Sequence, residues 1–167
     1  MIRFAALMNG LIYSSARNTK IRLLKDYFQH APDRGWGLAA LTRELDFPAV
    51  KPALIRDLVT ARVDPVLFAY SYDYVGDLAE TVALIWPDEA QREAPPGLSA
   101  LVDTLRLINK ADAPTIIADW LDGFDPSTRW AFLKLITGAM RVGVSSRLTK
   151  TALADLGNVD INDVEQL

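Results

Sequence analysis

The stretch Asp125-Pro126-Ser127-Thr128-Arg129-Trp130-Ala131-Phe132-Leu133-Lys134-Leu135-Ile136 shows how this chain specifies a helix. An aspartate that can accept hydrogen bonds from helix amides stands before a proline, the residue favoured at the first helical position. Trp130, Leu133 and Ile136 then recur at the spacing of one apolar helix face. The same start occurs at Asp64-Pro65. Both segments are therefore predicted to be helices.

Similar signals for helix starts and helix ends occur along the whole chain. Polar residues at positions 99, 112 and 160 indicate further helix starts, and glycines at positions 35, 76, 123, 143 and 157 indicate helix ends. No segment shows the clear alternation that is typical of a strand. We therefore predict a compact all-α fold of ten or eleven short helices. The predicted ranges are 2–12, 17–30, 35–44, 49–62, 65–75, 77–86, 98–109, 114–123, 126–139, 146–156 and 161–167.

One segment is predicted to be a loop that joins two helical halves. Residues 87–97 contain three acidic residues and three prolines, which is typical of a solvated linker. We expect a single domain, 1–167, with halves at about 1–86 and 98–167. A weak repeat spans the linker, because Asp64-Pro65 precedes Gly76 much as Asp125-Pro126 precedes Gly143. Two pseudo-repeated halves and a chance similarity both remain open.

Composition excludes several kinds of site. Of the 167 residues, 50% are hydrophobic and 23% are charged, which suits a folded domain with a sizeable core. There is no cysteine, so disulfides and thiolate metal sites are excluded, and the single histidine, His30, excludes a metal site built from a histidine pair. We find no signal-peptide pattern and no apolar run long enough for a membrane span. We expect a cytoplasmic protein.

Charge is distributed unevenly around a net value of −3. Residues 1–30 carry a net charge of +4, and residues 31–125 carry −8. Residues 126–154 carry five basic side chains and no acid, and the remaining residues carry −4. Such a distribution can hold an anion on one face of the molecule. The alternative is two solvated helix faces that happen to be basic.

The segment Thr137–Lys150, TGAMRVGVSSRLTK, combines basic side chains with hydroxyl groups. It predicts a basic turn, a left-handed backbone at Gly143 and a new helix capped by Ser145. The free amides and partial positive charge at a helix N-terminus suit a phosphate group. The alternative is a plain helix corner with Ser145 as an ordinary cap. The candidate phosphate-binding residues here are Arg141, Gly143, Ser145, Ser146, Arg147, Thr149 and Lys150.

We call this turn between two helices an elbow. Two other segments resemble it in part. At Gly76-Asp77 the backbone pattern is the same, but an anionic cap competes with phosphate for the amides, so this segment is a poorer phosphate site unless only the Gly76 backbone approaches the ligand. The segment Tyr13–Arg22 is a polar, basic helix start with Ser14 or Ser15 as the predicted cap. It is suited to a second strand of DNA backbone, or it is simply a capped helix with a solvated face.

Three motifs in this order resemble the N-terminal domain of ATP-dependent DNA ligases, especially the compact bacterial enzymes. They are Ser15-x-Arg17-Asn18-x-Lys20, Gly76-Asp77-Leu78-Ala79-Glu80 and Arg141-Val142-Gly143-Val144-Ser145, the last followed by Ala152-Leu153-Ala154. The resemblance covers nearly the whole chain.

The resemblance implies an all-helical domain that binds the minor-groove face of nicked double-stranded DNA and contacts the backbone on both sides of the nick. It implies downstream catalytic and OB-fold domains in the same chain, and association with the nucleoid. ATP and Mg²⁺ would serve the full-length enzyme, with no cofactor bound by this domain. From the resemblance and the phosphate-binding pattern together, the predicted DNA-binding residues are Ser15, Arg17, Asn18, Lys20, Gly76, Arg141, Gly143, Ser145, Ser146, Arg147, Thr149 and Lys150.

No catalytic site is expected within these 167 residues. Ligases of this family carry a Lys-x-Asp-Gly motif whose lysine accepts AMP, and the nearest match, Lys110-Ala111-Asp112-Ala113, lacks the glycine. The chain ends inside an apparent helix, which suggests a piece of a longer protein. The alternative interpretation is a non-enzymatic helical-repeat module for protein interaction. That alternative leaves the acid-free segment 126–154 unexplained, and the chain lacks a regular repeat of about 33 to 47 residues.

Overall fold

Eleven helices occur among residues 1–87 and 96–166, which are the residues described by a computed structural model. No strand occurs in those two ranges, so the predicted all-α fold is confirmed. The helices are α1 (Ile2–Tyr13), α2 (Arg17–His30), α3 (Arg34–Leu41), α4 (Pro52–Thr60), α5 (Pro65–Val75), α6 (Leu78–Ile85), α7 (Leu98–Leu107), α8 (Ala113–Gly123), α9 (Pro126–Ile136), α10 (Ser146–Gly157) and α11 (Ile161–Glu165).

The predicted Asp-Pro starts form side-chain caps. The Asp64 carboxylate accepts hydrogen bonds from the amides of Val66 and Leu67, at 2.8 and 3.0 Å. The Asp125 carboxylate caps α9 in the same way. Asp112 is the predicted start of α8, as its N-cap residue, although its side chain makes no cap hydrogen bond. The start signal at Ser99 was wrong, because Ser99 lies inside α7 and Gly97 is the N-cap residue. Caps are made within three residues, which is why a local sequence pattern can predict them.

The helices pack in two compact units, and these are not the predicted halves. Unit 1 consists of residues 1–45 and 140–167, whereas unit 2 consists of residues 46–139. Halves at 1–86 and 98–167 were wrong because α10 packs against α2 and α3, which joins the two ends of the chain. Residues 88–95 of the predicted linker lie outside the described residues.

The core of unit 1 lies between α1, α2 and α10. Its fully buried side chains include Phe4, Met8, Leu11, Leu24 and Ala152. Burial of apolar surface stabilises the unit by roughly 25 cal/mol for each Å² removed from water. This packing holds the beginning of α2 in the same unit as the beginning of α10.

Unit 2 is built around α9. Every residue from Thr128 to Ile136 is buried, so this helix has no solvated face. Helix α6 packs against it, and Phe132 contacts the rings of Trp120 and Phe124. A helix that is buried on all sides must satisfy its polar side chains internally.

Helix α9 ends at Ile136, three residues before the predicted end. Gly138 has a φ of 71°, and the Ala139 amide donates to Lys134 O at 3.0 Å, which closes the last turn. Residues 137–145 then separate α9 from α10, whereas only residues 76 and 77 separate α5 from α6. The two predicted elbows therefore differ in structure, and the weak sequence repeat does not extend to the segments between the helices.

Among residues 1–87 and 96–166, every helix falls short of the length and apolar character that a bilayer crossing requires.

Candidate nucleic-acid interface

Residues 140–145 form an elbow that is anchored by buried apolar side chains. Met140 and Val142 are buried, whereas Arg141 and Gly143, which alternate with them, are exposed. Gly143 has a φ of 74°, so the predicted left-handed backbone is confirmed. The anchors on either side of Arg141 restrict its backbone and present its guanidinium to solvent.

A hydrogen bond joins this elbow to the first turns of α2. Lys20 Nζ donates to the carbonyl oxygen of Gly143 at 2.5 Å, across 123 positions of sequence. A Cβ atom at Gly143 would lie 3.0 Å from that nitrogen and 3.6 Å from the Leu11 carbonyl oxygen. Two motifs that the sequence placed at opposite ends of the chain therefore meet in unit 1. An ammonium group has three donors, so two remain for a ligand.

The beginning of α10 has the predicted cap. Ser145 Oγ accepts a hydrogen bond from the Leu148 amide at 3.1 Å. The amides of Ser146 and Arg147 belong to the first turn, where a helix offers no acceptor, and both side chains are exposed. Ser145 is thus an ordinary cap, as the alternative interpretation held, and the amides of Ser146 and Arg147 have no acceptor within the helix.

Thr149 was wrongly included among the DNA-binding residues. Its side chain is fully buried, and its hydroxyl donates to the Ser145 carbonyl oxygen at 3.2 Å. The position lies one turn into α10, on the side that packs into unit 1. The sequence shows that Thr149 has a hydroxyl group but not which way its side chain points. That orientation depends on tertiary packing, which is why the prediction failed.

The beginning of α2 differs in detail from the prediction. Its N-cap residue is Ala16, so neither Ser14 nor Ser15 caps the helix. Ser15, Arg17 and Asn18 are exposed. Their hydroxyl, guanidinium and amide groups are therefore accessible to a ligand.

Arg17 and Asn18 also line a shallow groove of about 510 Å³ in unit 1. Arg22 and Lys25 were not among the predicted site residues, yet both lie in this groove. The available signal was their spacing, since positions 18, 22 and 25 share one face of a helix. Asp26 and Asp155 line the same groove and reduce its positive potential.

We call the accessible residues around the elbow the elbow surface. The ten residues of this surface include five cations and no acid. Two of the cations, Lys20 and Lys150, are half-buried. Glu165 lies nearby, with its carboxylate 3.8 Å from the guanidinium of Arg147, but both groups are exposed and such a pair is weak. The elbow surface consists of Ser15, Arg17, Asn18, Lys20, Arg141, Gly143, Ser145, Ser146, Arg147 and Lys150.

Two of the five cations in the acid-free segment 126–154 do not contribute to this surface. Arg129 is 1% exposed, and its guanidinium donates to the carbonyl oxygens of Leu121 and Phe124 at 3.0 and 2.9 Å. It also reaches Ala83 O at 3.3 Å. These carbonyls belong to the ends of α6 and α8, where a cation is favourable. Arg129 is therefore structural.

Lys134 is the second of these cations, and it pairs with the cap of α6. It is 7% exposed and donates to the Asp77 carboxylate, which also accepts from the Glu80 amide at 2.9 Å. Burial alone would raise the pKa of Asp77, but the hydrogen bonds from Lys134 and the Glu80 amide, with the charge of Lys134, lower that pKa below its ordinary value. Asp77 is therefore a paired anion beside Gly76.

Gly76 belongs to unit 2, whereas the other predicted contacts belong to unit 1. It is exposed, with a φ of 74°, and no neighbouring atom lies within 4 Å of the place where a Cβ would stand. A ligand backbone therefore has room to approach it. Its contact with DNA stays a prediction.

The two units differ in the sign of their net charge. Unit 1 carries ten basic and seven acidic side chains, for a net charge of +3, whereas unit 2 carries eight basic and fourteen acidic side chains, for a net charge of −6. The elbow surface thus belongs to the basic unit.

The Lys110-Ala111-Asp112-Ala113 segment has the structure of a turn. Asn109 Nδ2 donates to the Asp112 carboxylate at 2.7 Å, and the Asn109 side-chain oxygen accepts from the Ala111 and Asp112 amides at 2.9 Å. These bonds use the polar groups to close the turn before α8. Across residues 1–87 and 96–166, no cluster of acids or histidine is suited to a metal ion.

Comparison with known proteins gives no family for the chain. Neither a protein-family model nor a curated protein sequence matches it.

Proposed function

We propose that this protein binds duplex DNA through the backbone phosphates, with the elbow surface of unit 1 as the contact. The observation that carries the proposal is the hydrogen bond between Lys20 and Gly143, because it holds two basic motifs together beside the beginning of α10. Amide, hydroxyl and guanidinium donors position a protein on phosphates without reading the bases. We therefore expect weak sequence preference.

We further propose that the chain is the DNA-binding part of a cytoplasmic ATP-dependent DNA ligase, associated with the nucleoid when bound to DNA. The order of the three motifs supports this role. The chain would do no chemistry, and it would hold a nick so that downstream catalytic and OB-fold domains, using ATP and Mg²⁺, can seal it. Its contribution would be a higher effective concentration of the nick at the active site.

The DNA-binding proposal is tested by charge reversal at the elbow. The Arg141→Glu plus Arg147→Glu variant should lose most of its affinity for labelled nicked duplex at low salt, because two phosphate contacts become repulsive. The matched control is Lys51→Glu plus Lys110→Glu, which makes the same change in charge at exposed positions of unit 2 and should retain binding. Fluorescence anisotropy measures both.

Two results would count against this proposal. If the unmodified protein shows no binding even at low salt, DNA is not its ligand. If the double elbow variant binds as tightly as the control, DNA binds elsewhere on the molecule.

The ligase role has separate tests. We expect tighter binding to nicked duplex than to intact duplex of the same sequence. We also expect a Lys-x-Asp-Gly motif in the coding sequence that follows residue 167. The absence of both would contradict the ligase role and leave DNA binding in place.

A further inference from the structure

Helix α5 presents an apolar face to solvent. Val66, Leu67, Tyr70 and Tyr74 are 61%, 54%, 70% and 93% exposed, whereas Phe68 on the same helix is 6% exposed. Residues advance by about 100° along a helix, so the four exposed side chains share one sector of about 100° opposite Phe68. A helix at the surface of a globular protein normally carries polar residues on that outer side.

Acidic residues flank this face along the sequence. Asp64 begins the helix, Asp73 lies within it, and Glu80 follows in α6, while α5 itself contains no basic residue. Arg56 contributes a cation at Tyr72 of this helix, 4.5 Å from the centre of the ring, whereas the charge of Lys134 is balanced by its pair with Asp77. Unit 2 as a whole carries a net charge of −6. A phosphate backbone is therefore repelled from this face.

We propose that the α5 stripe, formed by Val66, Leu67, Tyr70 and Tyr74, docks an amphipathic helix of a partner protein with apolar residues on one face and lysines or arginines beside them. Apolar side chains at this spacing match the helix-docking mode of peptide recognition. Exposed tyrosines bury a large ring and keep a polar hydroxyl at the rim, which suits an interface. The charge of unit 2 selects a basic partner.

Two other occupants fit these observations less well. A second copy of the chain, docked stripe to stripe, would bring two acidic rims together, and like charges across an interface are unfavourable. DNA would meet the same acidic rim. The inference is independent of DNA binding at the elbow surface, because it concerns residues of unit 2 alone.

The proposal is tested with a fluorescein-labelled peptide of about 18 residues, made of leucine and lysine with leucines at the i, i+3, i+4, i+7 spacing. Control peptides carry glutamate in place of lysine, or the same composition in shuffled order. The stripe variant is Tyr70→Ser plus Tyr74→Ser. Its matched control, Leu84→Ser plus Leu107→Ser, removes two apolar side chains of unit 2 that are 68% and 88% exposed and lie outside α5.

We expect the lysine peptide to bind at least about tenfold more tightly than either control peptide, and the stripe variant to lose about tenfold or more of that affinity. The Leu84 and Leu107 control and the Arg141→Glu plus Arg147→Glu variant should both retain peptide binding. Helix content by circular dichroism verifies that the variants fold. Retention in the elbow variant separates this inference from the DNA proposal.

Four results would overturn the inference. Equal binding of the shuffled peptide, or unchanged binding to the stripe variant, would show that the stripe does not select a basic amphipathic helix. A concentration-dependent dimer that the stripe variant abolishes would assign the face to a second copy. Loss of nicked-DNA binding in the stripe variant would assign it to DNA.

Discussion

Gly143 is the residue on which the geometry of the elbow depends. Its left-handed backbone turns the chain between buried Val142 and the cap at Ser145, and its carbonyl oxygen accepts from Lys20. A Cβ at this position would be strained at this φ and would lie 3.0 Å from the Lys20 ammonium group, which would have to shift. The predicted phosphate-binding turn therefore has a structural reason for its glycine.

At this scale we predict that Gly143→Ala lowers the free energy of unfolding by about 1–2 kcal/mol, because an L-residue is strained at positive φ. It should also weaken binding to nicked duplex severalfold, since the Lys20 ammonium must move. The matched control is Gly138→Ala, at a φ of 71° with no atom within 4 Å of its Cβ position. It should show similar strain in urea unfolding and normal DNA binding. Equal loss of DNA binding in both variants would contradict the role of the Lys20 contact.

Arg129 and Lys134 show the limit of predictions made from single residues. Both were counted as surface charge because acids are absent between positions 126 and 154. Both are buried, one bound to carbonyl oxygens and the other paired with Asp77. Their position on the all-buried helix α9 was not evident, since a cation in a helix normally extends to solvent.

Helices α6 and α9 are coupled through one ion pair. Asp77 caps α6, and Lys134 of α9 donates to the same carboxylate. Since the folded-state pKa of Asp77 lies below its ordinary value of 3.8, this interaction stabilises the fold fully above that pH and is lost as pH falls through the lower folded-state value. The elements of unit 2 are thus linked by a group that titrates only in acid.

At the element scale we predict that Asp77→Asn lowers the free energy of unfolding by about 1–3 kcal/mol at neutral pH, because it leaves the buried Lys134 without its charged partner. It should also reduce the loss of stability between about pH 5 and pH 2. Asn retains the cap acceptor, so the matched control is Asp64→Asn at the exposed cap of α5. Urea unfolding across pH measures the effect. Equal pH profiles for the Asp77 variant and the unmodified protein would refute the pairing.

At the scale of the whole molecule, the proposed DNA binding depends more on how charge is divided between the two units than on the net charge of the protein. A protein with net charge −3 and pI near 5.1 would not normally be expected to bind DNA. Unit 1, however, carries +3 and holds all the predicted contacts except Gly76. Binding should therefore depend on the local field of the elbow surface and be sensitive to salt.

At this scale we predict a slope of about −4 for the logarithm of the DNA association constant against the logarithm of salt concentration, as expected when four or five cations meet phosphates. The Arg141→Glu plus Arg147→Glu variant should reduce the slope to about −2 if binding is still measurable. Titrations of nicked duplex across a salt series give both values. A slope near zero would show that phosphate contacts do not drive binding.

The sequence by itself determined the helical character of this protein, the positions of most helix starts, and the left-handed glycine of the elbow. These features depend on hydrogen bonds and backbone angles within a few residues, as in the Asp64, Asp125 and Ser145 caps. Tertiary structure alone decided the two units, the Lys20 contact with Gly143, and the burial of Thr149, Arg129 and Lys134. Those features depend on which distant helices meet, because burial and long-range hydrogen bonds form only when the chain packs.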